Sequence, residues 1–242
     1  MTLHDAPHGA DLPPAAPPPH AATGRPGPPD RVDVGRYLNR AWELFTANAG
    51  LLVGGFAIVF IILLVSAITV VGPLILAGPL MAGYYGMIQR LRDGRETEFG
   101  ELFAGFQDFA RTCVAGLLVV LVMIIGAAVS LIVGFILGHI PCLGQILAVV
   151  INLAVSVVAA MATMFVIPTV VVTPRTPVDA LRDNVRFAQR LVTPALLLAV
   201  VHLALAIVGS LVCLVGLLVT MPVASAFVME AYHDYYRPRV SD

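Results

Sequence analysis

Two polar side chains, Asn152 and His202, lie within long apolar stretches of the sequence. A carboxamide or a neutral imidazole inside a membrane span commonly bonds a neighbouring helix, and we favour this interpretation for both residues. The alternative for His202 is a proton relay, because the pKa of histidine lies near neutral pH. The middles of the predicted spans hold no Asp, Glu, Lys or Arg, which argues against a carboxylate-coupled ion transporter.

A second polar group follows the last apolar stretch, where Glu230, His233 and Asp234 occur within five residues. Carboxylates and an imidazole at this spacing can bind a cation or a lipid headgroup. The interpretation that we favour is a tyrosine belt at the membrane interface, of the kind that ends many membrane spans. Its members would be Tyr232, Tyr235 and Tyr236.

Cys142 and Cys213 fall at two predicted turns on the same side of the membrane. One hypothesis is a disulfide between them in an oxidising compartment, and the alternative is two free thiols. His139 and Cys142 together would supply only two ligands of a tetrahedral metal site. The sequence has no phosphate loop, HExxH pattern or nucleophile elbow. We therefore expect no catalytic residue, metal or cofactor.

The composition indicates which kind of scaffold holds these residues. Of 242 residues, 59% are hydrophobic and 12% are charged, whereas soluble domains have about 25% charged residues. The stretch from Ala195 to Met229 has no charged residue over 35 positions, too many for one membrane span and enough for two with a tight turn. The sequence therefore predicts an all-α integral membrane protein built from membrane hairpins.

Six membrane spans are predicted, arranged as three hairpins. They cover residues 51–71, 74–88, 113–138 and 145–172, a fifth from Ala195 to a turn between Gly209 and Gly216, and 217–232. The first turn is assigned to Gly72 and Pro73. Gly78, Gly83 and Gly86 in the second span would let a neighbouring helix approach closely, and Gly134 with Gly138 forms a GxxxG packing motif.

Each hairpin is preceded by an amphipathic stretch that predicts a surface helix. The three stretches begin at Asp33, Thr97 and Thr176, with Asp33 and Thr176 as capping residues. The second carries a phenylalanine-rich face, which comprises Phe99, Leu102, Phe103, Phe106 and Phe109. The apolar face of the third comprises Val178, Leu181, Val185, Ala188 and Val192. The chain thus divides into pseudo-repeats at about residues 33–90, 97–172 and 176–236.

Each second span of a hairpin contains one proline in its middle or later part. These prolines are Pro79, Pro168 and Pro222, and we expect them to break spans two, four and six. Interrupted membrane helices often line binding sites, so this pattern is also what a transporter would show.

The distribution of arginine predicts the topology. All 14 basic residues are arginines, and with six spans every one of them falls on the same side of the membrane. The positive-inside rule places both termini and the three surface helices in the cytoplasm of a bacterial inner-membrane protein. The membrane domain would cover residues 31–236, between a proline-rich, disordered tail at 1–30 and a short tail at 237–242.

Four short patterns support a resemblance to one group of bacterial membrane proteins. They are Trp42-Glu43-Leu44-Phe45, the run Ala77-Gly78-Pro79-Leu80-Met81-Ala82-Gly83-Tyr84, Phe99-Gly100-Glu101-Leu102-Phe103, and Gly216 to Pro222 leading to Tyr232. Over residues 33–236 the chain resembles the membrane domain attached to some glycerophosphodiester phosphodiesterases and its relatives of unknown function. In that group catalysis belongs to a separate soluble barrel, so the resemblance implies a membrane domain without enzymatic residues.

These observations favour a non-enzymatic membrane protein that organises or associates with lipid or protein components of the membrane. The alternative function is a transporter or lipid-translocating protein that uses the proline-containing spans two, four and six. The expected partners are membrane lipids and either a membrane protein or a second copy of the chain. Nucleic acid is not expected as a partner, because acidic residues are interleaved with the arginines.

Overall fold

The computed structural model describes residues 31–69, 71–140, 143–211 and 213–240, and all of their regular structure is helical. The predicted tail at 1–30, Cys142 and residues 241–242 lie outside the described residues. The α-helices are α1 Val34–Ala47, α2 Ala49–Ser66, α3 Val71–Arg92, α4 Phe109–Leu137, α5 Leu143–Thr163, α6 Val166–Val172, α7 Pro177–Arg190, α8 Val192–Leu211, α9 Cys213–Ala231 and α10 Arg237–Val240. A 3₁₀-helix covers Phe99–Phe106 and a π-helix covers Tyr232–Tyr236.

Five helical segments of the described residues are long and apolar enough to cross a membrane. They are Ala49–Ser66, Val71–Arg92, Phe109–Leu137, Leu143–Val172 and Val192–Leu211. The prediction of an all-helical protein with several helices long and apolar enough to span a membrane is therefore confirmed. Helix α9 covers the region of the predicted sixth span.

The predicted caps of the first and third surface helices are confirmed. The Asp33 carboxylate accepts a hydrogen bond of 3.0 Å from the backbone N–H of Arg36 at the start of α1. The Thr176 hydroxyl accepts one of 3.2 Å from the N–H of Asp179, and Pro177 is the first residue of α7. These bonds satisfy amides that have no partner within the helix.

The buried face of α7 differs from the predicted face. Its buried residues are Pro177, Ala180, Asn184 and Phe187, whereas Val178 and Val192, which belong to the predicted apolar face, are 51% and 54% exposed. The large ring of Phe187 and the small Ala180 pack against the neighbouring helices. Each buried position therefore lies one residue before a position of the predicted apolar face.

The second surface stretch forms a 3₁₀-helix, and three of the four phenylalanines of the predicted face are exposed. Leu102 and Gly105 are buried there, while Phe99, Phe103 and Phe109 are 42–50% exposed. The residues of the predicted phenylalanine-rich face therefore do not share one environment, because Leu102 is buried and three of the phenylalanines are exposed. A spacing of three residues per turn brings Leu102 and Gly105 to the side that contacts α3.

Proline has a different effect at each predicted break. Pro79 and Pro222 lie inside the uninterrupted helices α3 and α9, so the prediction that they break these spans is wrong. One missing N–H removes only one helical hydrogen bond, and packed neighbours hold the rest of the helix. Pro168 does accompany a break, between α5 and α6. Its position explains the break, because Pro168 has no N–H to donate to the carbonyl of Met164.

The turn between the first two spans was also misplaced. Helix α2 ends at Ser66 and α3 begins at Val71, so Gly72 and Pro73 belong to the first turn of α3. A proline fits there, because amides of the first helical turn have no partner within the helix.

Small residues of α3 bring three elements into backbone contact. A β-carbon on Gly83 would overlap the carbonyl oxygen of Leu102, and one on Gly78 would overlap that of Thr112 in α4. Gly105 lies equally close to the carbonyl oxygen of Pro79. The prediction of close approach is confirmed for Gly78 and Gly83. It is wrong for Gly86 and for Gly134 of the GxxxG motif, whose β-carbons would meet nothing within 4 Å.

The main core lies where α1, α3, α9 and the π-helix meet, and it contains the largest buried side chains. Tyr84 joins this core to α2, because its hydroxyl donates a hydrogen bond of 3.1 Å to the carbonyl of Leu52. In contrast, only 6% of the apolar stretch of α4 that could cross a membrane is buried, against 50% of the corresponding stretch of α3. The protein is therefore packed unevenly, with α3 at its centre and α4 at its edge.

The glycine contacts yield a paired stability test. Gly83→Ala should destabilise the protein by about 1–3 kcal/mol, because the new methyl group has no space against the Leu102 carbonyl. Gly86→Ala on the same helix is the matched control and should be neutral or stabilising by up to about 1 kcal/mol. Thermal unfolding in detergent measures both, and equal behaviour of the two variants would contradict this packing.

Candidate functional site

Charged side chains from α1, α3, α9 and the π-helix form one ion-pair network. The Arg92 Nε donates to Glu230 Oε1 at 2.9 Å, and Arg40 Nη1 lies 3.7 Å from Glu230 Oε2. Asp234 accepts from Arg40 at 3.0 Å and lies 3.2 Å from Arg36. The Glu230 side chain is only 7% exposed, so these guanidiniums replace the solvation that its carboxylate loses on burial.

This network corrects the suggestion that Glu230 and Asp234 bind a cation. Guanidiniums already occupy the positions around both carboxylates that a metal ion would need. Residues 31–240, apart from the three gaps, contain no group of three or more His, Cys, Asp or Glu placed to hold a metal ion. The cluster is therefore an internal ion-pair network that ties α9 to α1 and α3.

His233 lies beside this network and contacts the side-chain amide of Gln89. Its Nε2 lies 2.5 Å from Gln89 Oε1, and Gln89 donates in turn to the Asp93 carboxylate at 3.0 and 3.1 Å. An amide oxygen only accepts, so the Nε2 carries the hydrogen. Burial, followed by the Arg92 and Arg237 guanidiniums, lowers the pKa of His233 to about 4, with Asp93 opposing the shift. The imidazole is therefore neutral at ordinary pH.

The three tyrosines of the π-helix form a buried aromatic cluster with Phe165 and Phe187. Tyr232, Tyr235 and Tyr236 are only 1–2% exposed. The Tyr236 ring centroid lies 4.5 Å from that of Phe165 and 5.0 Å from that of Phe187. The predicted tyrosine belt at the membrane interface is therefore wrong, because these rings join the α5–α6 break and α7 to the end of α9.

The remaining charged segments lie at the same end of the molecule. Arg90 of α3 pairs with Glu101 at 2.8 Å, and Arg111 of α4 donates to the carbonyl of Thr173 after α6. Arg175 contacts both Asp183 of α7 and the carbonyl of Val240. We call this region the charged end. It holds the polar contacts between helices that are distant in the sequence.

His202 lines a cavity within the apolar part of the bundle, where α3, α4, the α5–α6 break and α8 meet. The cavity has a volume of about 230 Å³. Its other walls are mostly apolar, formed by Ala77, Met81, Tyr85, Gly116, Val119, Val120, Met123, Thr163, Met164 and Ile167. The Nδ1 of His202 has no hydrogen-bond partner within the described part of the chain. The predicted bond from His202 to a neighbouring helix is therefore not formed through this nitrogen.

Asn152 and His202 do not share this cavity, because Asn152 is not among its lining residues. The Oδ1 of Asn152 also lacks a partner among the residues that the structure describes. No polar groove thus connects the two candidate residues through this cavity. The hypothesis of a disulfide between Cys142 and Cys213 involves Cys142, which lies outside the described ranges.

Asn184 is a polar residue that the sequence did not single out. It lies on the buried face of α7 and is 0% exposed, and neither of its side-chain amide atoms has a partner among residues 31–240 outside the gaps. A buried carboxamide without partners is unfavourable in a protein interior. The only signal in the sequence is its position at 184, four residues after Ala180 and three before Phe187, on the face that becomes buried.

A long apolar groove runs between α4 and α5, with a volume of about 450 Å³. Gly126, Ala154, Ala159 and Ala162 line it together with larger aliphatic residues. Beyond the groove, the outward face of α4 exposes large side chains, for example Leu131 and Phe135, which are both 75% exposed. The α4–α5 pair therefore presents an open apolar surface, which we call the α4–α5 flank.

The ion-pair network yields a direct test of how its charges stabilise the fold. Glu230→Gln should destabilise the protein by about 3 kcal/mol, because Arg92 loses its close carboxylate partner in a largely buried position. Arg182→Gln is the control, since it removes an exposed pair with Asp179 and should change stability by about 1 kcal/mol or less. Denaturant unfolding in detergent measures both, and similar losses would contradict the importance of the buried pair.

Comparison with known proteins adds no relative from which a function could be transferred. The chain matches no known protein family, and neither a curated protein nor a solved structure matches it. The resemblance to the membrane domain of glycerophosphodiester phosphodiesterases remains an expectation from the short patterns quoted above.

Proposed function

We propose that this protein is a non-enzymatic membrane protein that associates with another membrane protein, or with a second copy of itself, through the α4–α5 flank. The observation that carries the proposal is the low burial of α4, because only 6% of its apolar stretch is buried inside the protein. Beyond Gly116, α4 has no buried residue, so much of its surface is available to other apolar groups.

The shape of the flank supports a helix as the partner. Apolar surface alone does not distinguish lipid from protein, because lipid chains are as apolar as leucine side chains. Helix pairing in membranes depends on close packing, which small residues such as Gly126 and Ala159 permit along the groove. A groove of about 450 Å³ with almost wholly apolar walls gives a helix from another protein a concave surface against which to pack.

The proposal includes the membrane topology. We place six spans in three hairpins in a bacterial inner membrane, with α9 as the sixth span and the charged end in the cytoplasm. Support comes from the contacts that gather the arginines of α1, α3 and α4, and Arg175 just before α7, at one end, as the positive-inside rule requires. In this arrangement the aromatic cluster and the ion pairs anchor the bundle, and the α4–α5 flank extends across the membrane.

A second candidate function is transport or lipid translocation, which the cavity at His202 favours. The cavity lies beside the break between α5 and α6. At this break the carbonyl of Met164 has no regular helical partner, because Pro168 lacks an N–H. An interrupted helix beside a cavity with an unpaired imidazole nitrogen is the kind of place where a membrane protein binds a solute. We rank this function second, because the cavity is small and Asn152 lies outside it.

One experiment separates the two functions. The full chain is extracted in native lipid nanodiscs, and everything that co-purifies is identified by mass spectrometry. In Gly126→Leu the new side chain fills the groove, while a β-carbon there makes only ordinary contacts of 3.4 Å or more with α5. Gly134→Leu is the matched control, because it adds the same side chain to α4 where nothing lies within 4 Å of the β-carbon.

The proposal predicts a stoichiometric protein partner, or a second copy, that is lost by at least about tenfold in Gly126→Leu and kept in Gly134→Leu. Equal recovery from both variants would contradict association through the flank. A small solute that is retained by the wild type and lost in His202→Ala, without any protein partner, would replace the proposal with the transport function.

A further inference from the structure

A basic cleft lies at the charged end, between the last two turns of α7 and helix α10. It has a volume of about 250 Å³. Arg186 and Arg190 line one wall, and they are four residues apart, so they lie on the same face of α7. Arg239 lines the other wall, held by a hydrogen bond of 2.9 Å to the carbonyl of Tyr235 and by stacking over the Tyr235 ring at 3.6 Å.

Arg186 and Arg190 carry an excess of positive charge among the described residues of this cleft. The one carboxylate among these lining residues, that of Asp183, is already paired with Arg175. Arg186 and Arg190 form no ion pair with any residue in the described ranges. Like charges on adjacent turns of a helix repel each other, so an anion that bridges them would be stabilised.

The position of the cleft indicates where its anion comes from. Arg190 is the last residue of α7, and the apolar helix α8 begins two residues later at Val192. The cleft therefore opens where a membrane helix leaves the surface. Phe187 and Leu191 add an apolar base to it. On α8, Val192, Leu196 and Val200 are 42–54% exposed and follow one another at helical spacing, which suits an acyl chain that runs along the helix.

We propose that this basic cleft binds the phosphate group of an anionic membrane phospholipid, with the lipid chains lying along the exposed face of α8. The guanidiniums of Arg186 and Arg190 donate hydrogen bonds to the phosphate oxygens, and Arg239, held against Tyr235, forms the opposite wall. This site is separate from the α4–α5 flank and does not depend on the function proposed for it.

The test measures lipid retained by the purified full chain. Wild type and variants are reconstituted in nanodiscs of equal parts phosphatidylglycerol and phosphatidylcholine, released into detergent, and weighed by native mass spectrometry. The double variant Arg186→Gln with Arg190→Gln should reduce the retained phosphatidylglycerol by about tenfold or more, because two charges near the membrane surface are lost. Phosphatidylcholine should not change.

Arg182→Gln is the matched control. It removes the same charge from the same helix, outside the cleft, and should retain phosphatidylglycerol as the wild type does. Equal losses in the control and the double variant, or no loss in either, would overturn the proposal. Thermal unfolding checks that each variant is folded. If the double variant is unstable, Arg190→Gln alone replaces it, because Arg190 is exposed. This single variant should lose about half of the retained lipid or more, and no loss would overturn the proposed site.

Free phosphate is the other source of the same chemistry. Inorganic phosphate is titrated into lipid-free protein in detergent, and binding is followed by calorimetry. No binding at millimolar phosphate, together with the loss of lipid in the double variant, supports a lipid site. Phosphate binding that the double variant abolishes, with lipid retention unchanged, would overturn the lipid assignment in favour of a soluble anion.

Discussion

The structure depends on the ion pair between Arg92 and Glu230. A carboxylate that is 7% exposed at the end of an apolar helix is unfavourable unless an opposite charge accompanies it. Arg92 supplies that charge from α3 at 2.9 Å, and Arg40 supplies a second one from α1. The three helices are therefore held together at one end, and α3 becomes the element around which the others pack.

The aromatic cluster continues this constraint across the charged end. Phe165 enters the cluster because the helix breaks between α5 and α6, and the break follows from the missing N–H of Pro168. Phe187 enters from α7, and the tyrosines enter from the π-helix. The charged end is thus a compact core, whereas α4 has no buried residue beyond Gly116, which leaves its outer surface available for association.

The charge and hydropathy patterns predicted the helical membrane fold, the two helix caps and the close approach at Gly78 and Gly83. Each of these depends on residues that are neighbours in the sequence, or on the absence of a side chain. The patterns failed where distant residues decide the outcome. Tyr232 and Glu230 resemble the polar end of a membrane span, and only their contacts with Phe165, Arg40 and Arg92 make them part of a core. The apolar face of α7 was misplaced for the same reason, because the large ring of Phe187 outweighs the smaller Val178 and Val185.

Hydrogen–deuterium exchange in lipid nanodiscs tests this account most directly, at the amides of residues 227–240. In a membrane span that simply ends at the interface, the amides of the segment Tyr232–Tyr236 would exchange within seconds to minutes, as frayed helix ends do. The buried core described above predicts that these amides exchange as slowly as those of α3, over hours. Fast exchange at Tyr235 and Tyr236, with α3 protected, would contradict the claim that the charged end anchors the bundle.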